Sequence, residues 1–226
     1  MYKALFFDVD DTLLNFKLCS RAALSNSFES LNIQYDHSFF DLFYKIDHEL
    51  WSRQKQGLLS VQDVINSRFK EMFSLLKISV DSNKFKNVFH EKLSAEFILE
   101  SDALEIIRYF SSKYKLYVAS NGFLAMQQSR LRSAGLLSYF TELFVSDDIG
   151  YEKPDSRFFD ECLNRSKLKN NDILFIGDSL DADMLGAYNS SIDTCWYNPG
   201  NKINDRDFKI DYIINDLLQL KEIMDL

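Results

Sequence analysis

Five short apolar runs, at residues 3–9, 115–120, 143–146, 173–177 and 194–197, mark the chain, with a weaker sixth at 212–214. Helix-length amphipathic stretches at 102–112, 124–134, 156–167 and 181–189 lie between the later runs. Strand alternating with helix predicts right-handed crossovers and a parallel sheet covered on both faces. The unbroken apolar character of Leu174-Phe175-Ile176 suits a central strand of such a sheet. The expected fold class is therefore α/β, a doubly wound parallel sheet.

One interval breaks the rhythm. Roughly a hundred residues separate the first run from the second, where a crossover needs only a dozen or so. That interval is helical in pattern: Phe39, Phe43, Ile46 and Leu50 recur at helical spacing, as do Ile65, Phe69, Met72 and Leu76, then Phe85, Phe89 and Leu93. A crossover helix can begin near residue 102. The predicted organisation is thus a core of residues 1–15 and 96–226, with residues 16–95 inserted as an α-helical domain. An insert at that point is expected above the carboxyl ends of the strands, where open α/β sheets bind ligands.

The chain has 226 residues, 46% of them hydrophobic, enough for a substantial core. A net charge of −8 argues against nucleic acid or an anionic membrane as the main partner. It leaves room for an anionic substrate, because a metal and one lysine can reverse the local field. Cys19, Cys162 and Cys195 are odd in number and far apart, and read as small core residues of a reducing compartment. No apolar run approaches the ~20 residues of a membrane span. The start of the chain lacks the pattern of a signal peptide. A soluble, cytoplasmic protein is expected, monomeric or weakly homo-oligomeric.

Chemistry gathers where the apolar runs end. Asp8-Val9-Asp10-Asp11-Thr12 follows the first, Ser120-Asn121-Gly122 the second, Lys153-Pro154 comes shortly after the third, and Asp178 follows the fourth. Carboxylates two residues apart on a strand point the same way and raise one another's pKa unless a cation intervenes. A plain Asp-rich turn or helix cap is the bland alternative. A calcium loop fits poorly, since the glycine and glutamate of an EF-hand counted from Asp8 would fall on Leu13 and Cys19. The functional reading makes Asp8 a nucleophile toward phosphorus and Asp10 the group that protonates the leaving oxygen and later activates water.

Ser120, with the backbone N–H groups of Asn121 and Gly122, can hold phosphate oxygens, and Lys153 can neutralise them. Asp178 adds a carboxylate suited to magnesium. Asp181 and Asp183 also suit the N-terminus of the following helix. Alone, Ser-Asn-Gly is an ordinary turn and Lys153 an ordinary surface lysine; their coincidence at successive strand ends is the signal. His37 and His48 lie eleven residues apart, about 16 Å along a helix, and cannot share an ion. All three histidines read as surface or packing residues.

As a set, Asp8-x-Asp10-x-Thr12, Ser120, Lys153-Pro154 and Gly177-Asp178 with Asp183 resemble the haloacid dehalogenase-like phosphohydrolase superfamily over essentially the whole length. The resemblance implies a Rossmann-like core, with Asp8 as nucleophile and Asp10 as acid/base. It implies phosphate binding by Thr12, Ser120, Asn121, Gly122 and Lys153. Mg2+ would be held by Asp8, Asp10 and Asp178 with Asp183 in support. The insert resembles the helical cap of one subgroup.

A finer likeness is to the pyrimidine-type 5′-nucleotidases. It rests on Asn121-Gly122-Phe123-x-Ala125-x-Gln127-Gln128-x-Arg130-Leu131, on Cys195-Trp196-Tyr197-Asn198, and on Trp51 with Gln56-Gly57. It implies a nucleoside monophosphate as substrate, with Trp51, Arg53 and Lys55 as candidate contacts. A core position suits Trp51 equally. Asp11 stands where many superfamily members carry glycine, and a similar acidic residue is familiar in this subgroup.

Four rival readings bear on these residues. A dehalogenase attacking carbon needs neither Asp10 nor Asp178. A phosphatase or mutase acting on a sugar phosphate or another small phosphometabolite would keep all four motifs. A receiver-type signalling module gathers similar residues, but in about half this length and with its acceptor mid-chain. An inactive scaffold would show a substituted catalytic position, and none is seen.

Overall fold

A computed structural model describes residues 2–224. The apolar runs form six strands: β1 (Ala4–Phe7), β2 (Lys115–Ser120), β3 (Glu142–Val145), β4 (Ile173–Gly177), β5 (Asp193–Tyr197) and β6 (Tyr212–Ile214). All pairings are parallel, in the order β3-β2-β1-β4-β5-β6. The chain runs outward from β1 through β2 to β3, then crosses to β4 on the other side. The crevice at the carboxyl ends beside β1 is therefore a topological switch point.

Side-chain alternation gives the sheet two cores. Leu5, Phe7, Leu116, Val118, Leu174 and Ile176 face Ile106, Ile107 and Phe110 of α5 (Ala103–Ser111). Ala4, Phe6, Tyr117, Ala119 and Phe175 face Phe158, Phe159 and Cys162 of the helix Ser156–Ser166. Every residue of β1 and β4 is buried, which explains why those runs read as continuous rather than alternating. The three cysteines are buried and unbridged.

Two elements differ from expectation. β1 stops at Phe7 rather than running to residue 9. The Asp8 amide still reaches the Ile176 carbonyl (2.9 Å), but the Val9 carbonyl turns away to accept the amides of Leu13 (2.8 Å) and Leu14 (2.9 Å). The helix expected over 181–189 opens as a π-helical turn, Leu180–Met184, before the regular turn Leu185–Asn189. The amides of Asp183 (3.0 Å) and Met184 (3.1 Å) share the Ser179 carbonyl.

The chain divides into two compact units. The first comprises the described residues of Met1–Asn15 and Phe97–Leu226 and contains the sheet. The second, Phe16–Glu96, consists of α1 (Phe16–Ser30), α2 (Ser38–Lys55), α3 (Val61–Leu76) and α4 (Ser82–Ala95). Here α1 packs on α4 and α2 on α3. A capping box between Ser60 and Asp63 starts α3, and the Asp81 carboxylate starts α4. Among the described residues no helix is long and apolar enough to cross a membrane.

The core of the helical unit is aromatic. Phe69 lies 4.9 Å from Phe85 and 5.0 Å from Phe89, ring centre to ring centre, within the favourable range for tilted pairs. Through it runs a polar thread that the apolar spacing did not single out. Arg68 is only 2% exposed. It donates to Asp47 (3.1 Å) and to Nε2 of His90 (3.0 Å), and its guanidinium sits 4.8 Å from the Phe89 ring centre. His90, read from sequence as a surface or packing residue, is thus a largely buried acceptor.

Burial, with the positive charges of Arg68 and Lys86, pushes the His90 imidazole down to about 3. The unfolded chain then binds the proton more readily than the native one between about pH 6.5 and about pH 3, so stability falls as pH drops across that window. Thermal melts between about pH 7 and pH 5 should show the wild-type midpoint declining with acidity and that of His90→Gln staying flatter. Parallel curves would rule His90 out as the titrating group.

Candidate active site

The polar clusters all lie at or beyond the carboxyl ends of the strands. Asp8 and Asp10 follow β1, Ser120 closes β2, and Asp178 follows β4. Lys153 lies past β3 and the single helical turn Ser146–Ile149. Register brings the strand ends together, for Phe7 is paired with Val118 on one side and Ile176 on the other.

Lys153 is the hub. It is 2% exposed, and its Nζ donates to Asp8 Oδ1 (2.7 Å), Asp183 Oδ1 (2.6 Å) and the Ala119 carbonyl (2.7 Å). An ammonium has three N–H groups, and each finds an acceptor. Burial alone would lower its pKa, but Asp183 and Asp8 outweigh that and hold it above its ordinary value. The side chain of Asn121 fixes the loop, donating to the Lys153 carbonyl (2.9 Å) and accepting from the Lys153 amide (2.8 Å). Asn121, expected to offer its backbone N–H to phosphate, thus also positions the lysine.

Asp8, Asp178 and Asp183 form a carboxylate cluster, each offering an oxygen within 4.8 Å of the others. Ligands on one magnesium ion lie at most about 4 Å apart, given metal–oxygen distances of about 2.0–2.1 Å. Three carboxylates around one ammonium leave negative charge in excess, which a divalent cation would balance. Burial pushes the Asp8 carboxyl up to about 7, with Asp183 and Asp10 raising it and Lys153 pulling the other way. The donor set fits a hard cation.

Asp183, expected only as support, is fully buried with both oxygens engaged: Oδ1 accepts from Lys153 and Oδ2 from the Ser179 amide (3.0 Å). The π-helical turn carries it back over Gly177. A side chain at Gly177 would meet it, since a Cβ built there lies 2.8 Å from the Asp183 Cβ. Trp196 donates its indole N–H to the Asp178 carbonyl (2.8 Å), anchoring that residue from β5.

Asp10 is not part of the cluster. Sequence alternation placed its side chain beside that of Asp8, but β1 has ended by then, and Asp11 adopts a left-handed φ of 59°. Asp is among the residues that tolerate this region best. The Asp10 carboxylate instead accepts from Arg130 Nη1 (2.6 Å) and Gln127 Nε2 (3.0 Å). Both belong to α6 (Leu124–Ser133).

The expected phosphate groups are variously engaged. Ser120 Oγ accepts from Gln127 Nε2 (3.2 Å). The Gly122 amide donates to Ser146 Oγ (2.9 Å), at a φ of 147° that favours glycine. Thr12 is fully buried, and its hydroxyl has no hydrogen-bond partner among the described residues. Trp51, Arg53 and Lys55 lie in the last turns of α2 in the helical unit; Trp51 and Lys55 are half-buried and Arg53 is exposed. Gln127, Arg130 and Trp196 lie in the segments that resemble pyrimidine-type nucleotidases, and their spacing alone marks no task for them. The available signal was polar residues in a segment that must pack on a sheet.

The sequence model of the haloacid dehalogenase-like hydrolases matches residues 2–190. The chain belongs to this family. This hydrolase is 31% identical to HAD-hydrolase YfnB of Bacillus subtilis, over 100% of the chain and 96% of the relative. A magnesium-bound crystal structure of YfnB superposes with a TM-score of 0.94, covering 100% of this chain and 99% of that one. Pyrimidine 5′-nucleotidase PynA of Streptococcus pneumoniae is 30% identical, over 99% of this chain and 95% of PynA. Glyceraldehyde 3-phosphate phosphatase of Methanothermobacter thermautotrophicus is 29% identical, over 99% of this chain and 100% of that enzyme.

Gly177→Ala tests the packing of the Asp183 turn. The added methyl should lower the unfolding free energy by about 1–3 kcal/mol, the range for an overpacked core, read as a lower urea midpoint at unchanged m-value. An unchanged midpoint would show that the π-helical turn yields freely.

Proposed function

We propose that this hydrolase is a magnesium-dependent phosphomonoesterase working through an aspartyl-phosphate, with nucleoside 5′-monophosphates as its substrate class. The observation that carries the chemistry is the division of labour between the two aspartates. Asp8 lies against Lys153 in a carboxylate cluster that fits a cation, whereas Asp10 lies outside that cluster against α6. Attack on carbon would need only the first; a second carboxylate held by two donors suits a reaction with protons to move.

The Asp8 carboxylate attacks phosphorus, the ester P–O bond breaks, and Asp10 gives its proton to the departing oxygen. Asp10, now ionised, takes a proton from water as that water attacks the phosphorus, which frees phosphate and restores Asp8. Lys153 holds the nucleophile in place and offsets the negative charge that builds there. Ser120, the amides of Asn121 and Gly122, Thr12 and Lys153 are the proposed phosphate contacts. Magnesium bound by Asp8 and Asp178, with Asp183 behind them, would neutralise charge between nucleophile and phosphoryl group.

The nucleotide assignment rests on the likeness to PynA over nearly the whole chain and on the segments that resemble pyrimidine-type nucleotidases. Similar identity to a glyceraldehyde 3-phosphate phosphatase favours a small sugar phosphate as the second reading. Trp51, Arg53 and Lys55 of the helical unit are proposed to recognise the part of the substrate beyond the phosphate.

Asp8→Asn should lower turnover at least about a thousandfold while leaving the circular dichroism spectrum unchanged. Substantial residual turnover would end the nucleophile assignment. The wild type, assayed on nucleoside monophosphates, sugar phosphates and p-nitrophenyl phosphate, should lose activity in chelator and regain it with magnesium. Trp51→Ala should change kcat/KM for nucleotides about tenfold or more and for p-nitrophenyl phosphate far less. Equal effects would mean that Trp51 only packs its helix.

A further inference from the structure

The proton carrier is held by residues that none of the roles above includes. We propose that Gln127 and Arg130 of α6 are positioning residues that aim the Asp10 carboxylate at the leaving group. The inference rests on the phosphatase reading and adds a mechanical requirement to it.

Three observations carry it. First, the clamp is two-sided: Arg130 Nη1 donates to Oδ1 of Asp10 (2.6 Å) and Gln127 Nε2 to Oδ2 (3.0 Å). Two donors on opposite oxygens define the plane of a carboxylate, which one donor does not. Second, the clamp is itself fixed. Arg130 is 1% and Gln127 2% exposed, and Arg130 Nη1 also donates to Gln127 Oε1 (3.2 Å), which settles which way the amide faces. The two residues are three apart on one helix, so they share a face.

Third, Gln127 Nε2 also reaches Ser120 Oγ (3.2 Å), tying the proton carrier to the proposed phosphate side of the site. Asp10 needs such help. Its side chain is 30% exposed, and it follows a strand that ended at Phe7 and precedes a left-handed residue.

The clamp is compatible with both states of the carrier. A carboxyl group has about four acceptor sites on its two oxygens, so it can accept from Arg130 and Gln127 with or without its proton. When the ester P–O bond breaks, its electron pair stays on the departing oxygen, which takes the proton from Asp10. The ionised Asp10 remains between the same two donors.

The test separates aiming from folding. For an ester with a good leaving group, such as p-nitrophenolate, departure needs little protonation; for an alkyl or nucleoside oxygen it needs a well-placed acid. The ratio kcat/KM reports steps through leaving-group departure and excludes the hydrolysis common to both esters. With magnesium and the full chain, Arg130→Leu and Gln127→Met should lower kcat/KM about a hundredfold or more on an alkyl or nucleoside phosphate. On p-nitrophenyl phosphate the loss should be only a few-fold, and Arg130→Lys should restore part of the difference.

Should Arg130→Leu fail to fold, Gln127→Met carries the same comparison. An active wild type whose variants lose both esters equally overturns the positioning role and leaves the phosphatase reading intact. A wild type inactive on both esters overturns the phosphatase reading and this inference with it.

Discussion

A lysine ammonium with almost no solvent contact, held by two carboxylates and a carbonyl, is the constraint around which the sheet unit is arranged. Lys153 cannot lie in that position alone, because an unpaired buried charge costs several kcal/mol. Its partners come from three strand ends: Asp8 after β1, the Ala119 carbonyl in β2, and Asp183 beyond β4. Meeting those demands explains much of the local oddity. Asn121 grips the lysine's backbone, a π-helical turn swings Asp183 inward, and Gly177 leaves room for it.

The helical unit buries a cation too, with a different outcome. Arg68 meets one carboxylate, a neutral imidazole and aromatic faces, so its charge is balanced. Lys153 meets two carboxylates, with a third, Asp178, close by. The first arrangement is balanced in charge as it stands, while the second retains excess negative charge. That difference separates a polar thread in a core from a place for a cation.

The sheet and its site residues were legible to different depths. Strand positions followed from continuous apolar runs, since a strand covered on both faces has no polar side to show. Asp8, Ser120, Lys153 and Asp178 stood out because each follows such a run, and parallel strands set their ends side by side. Asp10 was read beside Asp8 by extending strand alternation two residues past the end of β1, whereas its carboxylate lies outside the cluster and meets Arg130 and Gln127. Asp183 was legible only as a supporting acid near a helix start, since its place against Lys153 and the Ser179 amide depends on a π-helical turn that spacing does not show. Gln127, Arg130, Asp47 and Arg68 were passed over because a polar residue on an apolar face shows its purpose only through its partner.

By itself the sequence determined the alternation of strand and helix, the long helical interval, and the set of polar residues closing the strands. These are local properties, written in the periodicity of neighbouring side chains and in where it stops. Only the tertiary structure decided which carboxylates cluster, which one turns to α6, and what balances each buried charge. Those outcomes depend on distances between residues far apart in the chain. Electrostatic pairing is settled within a few ångströms, at a scale that spacing along a sequence does not carry.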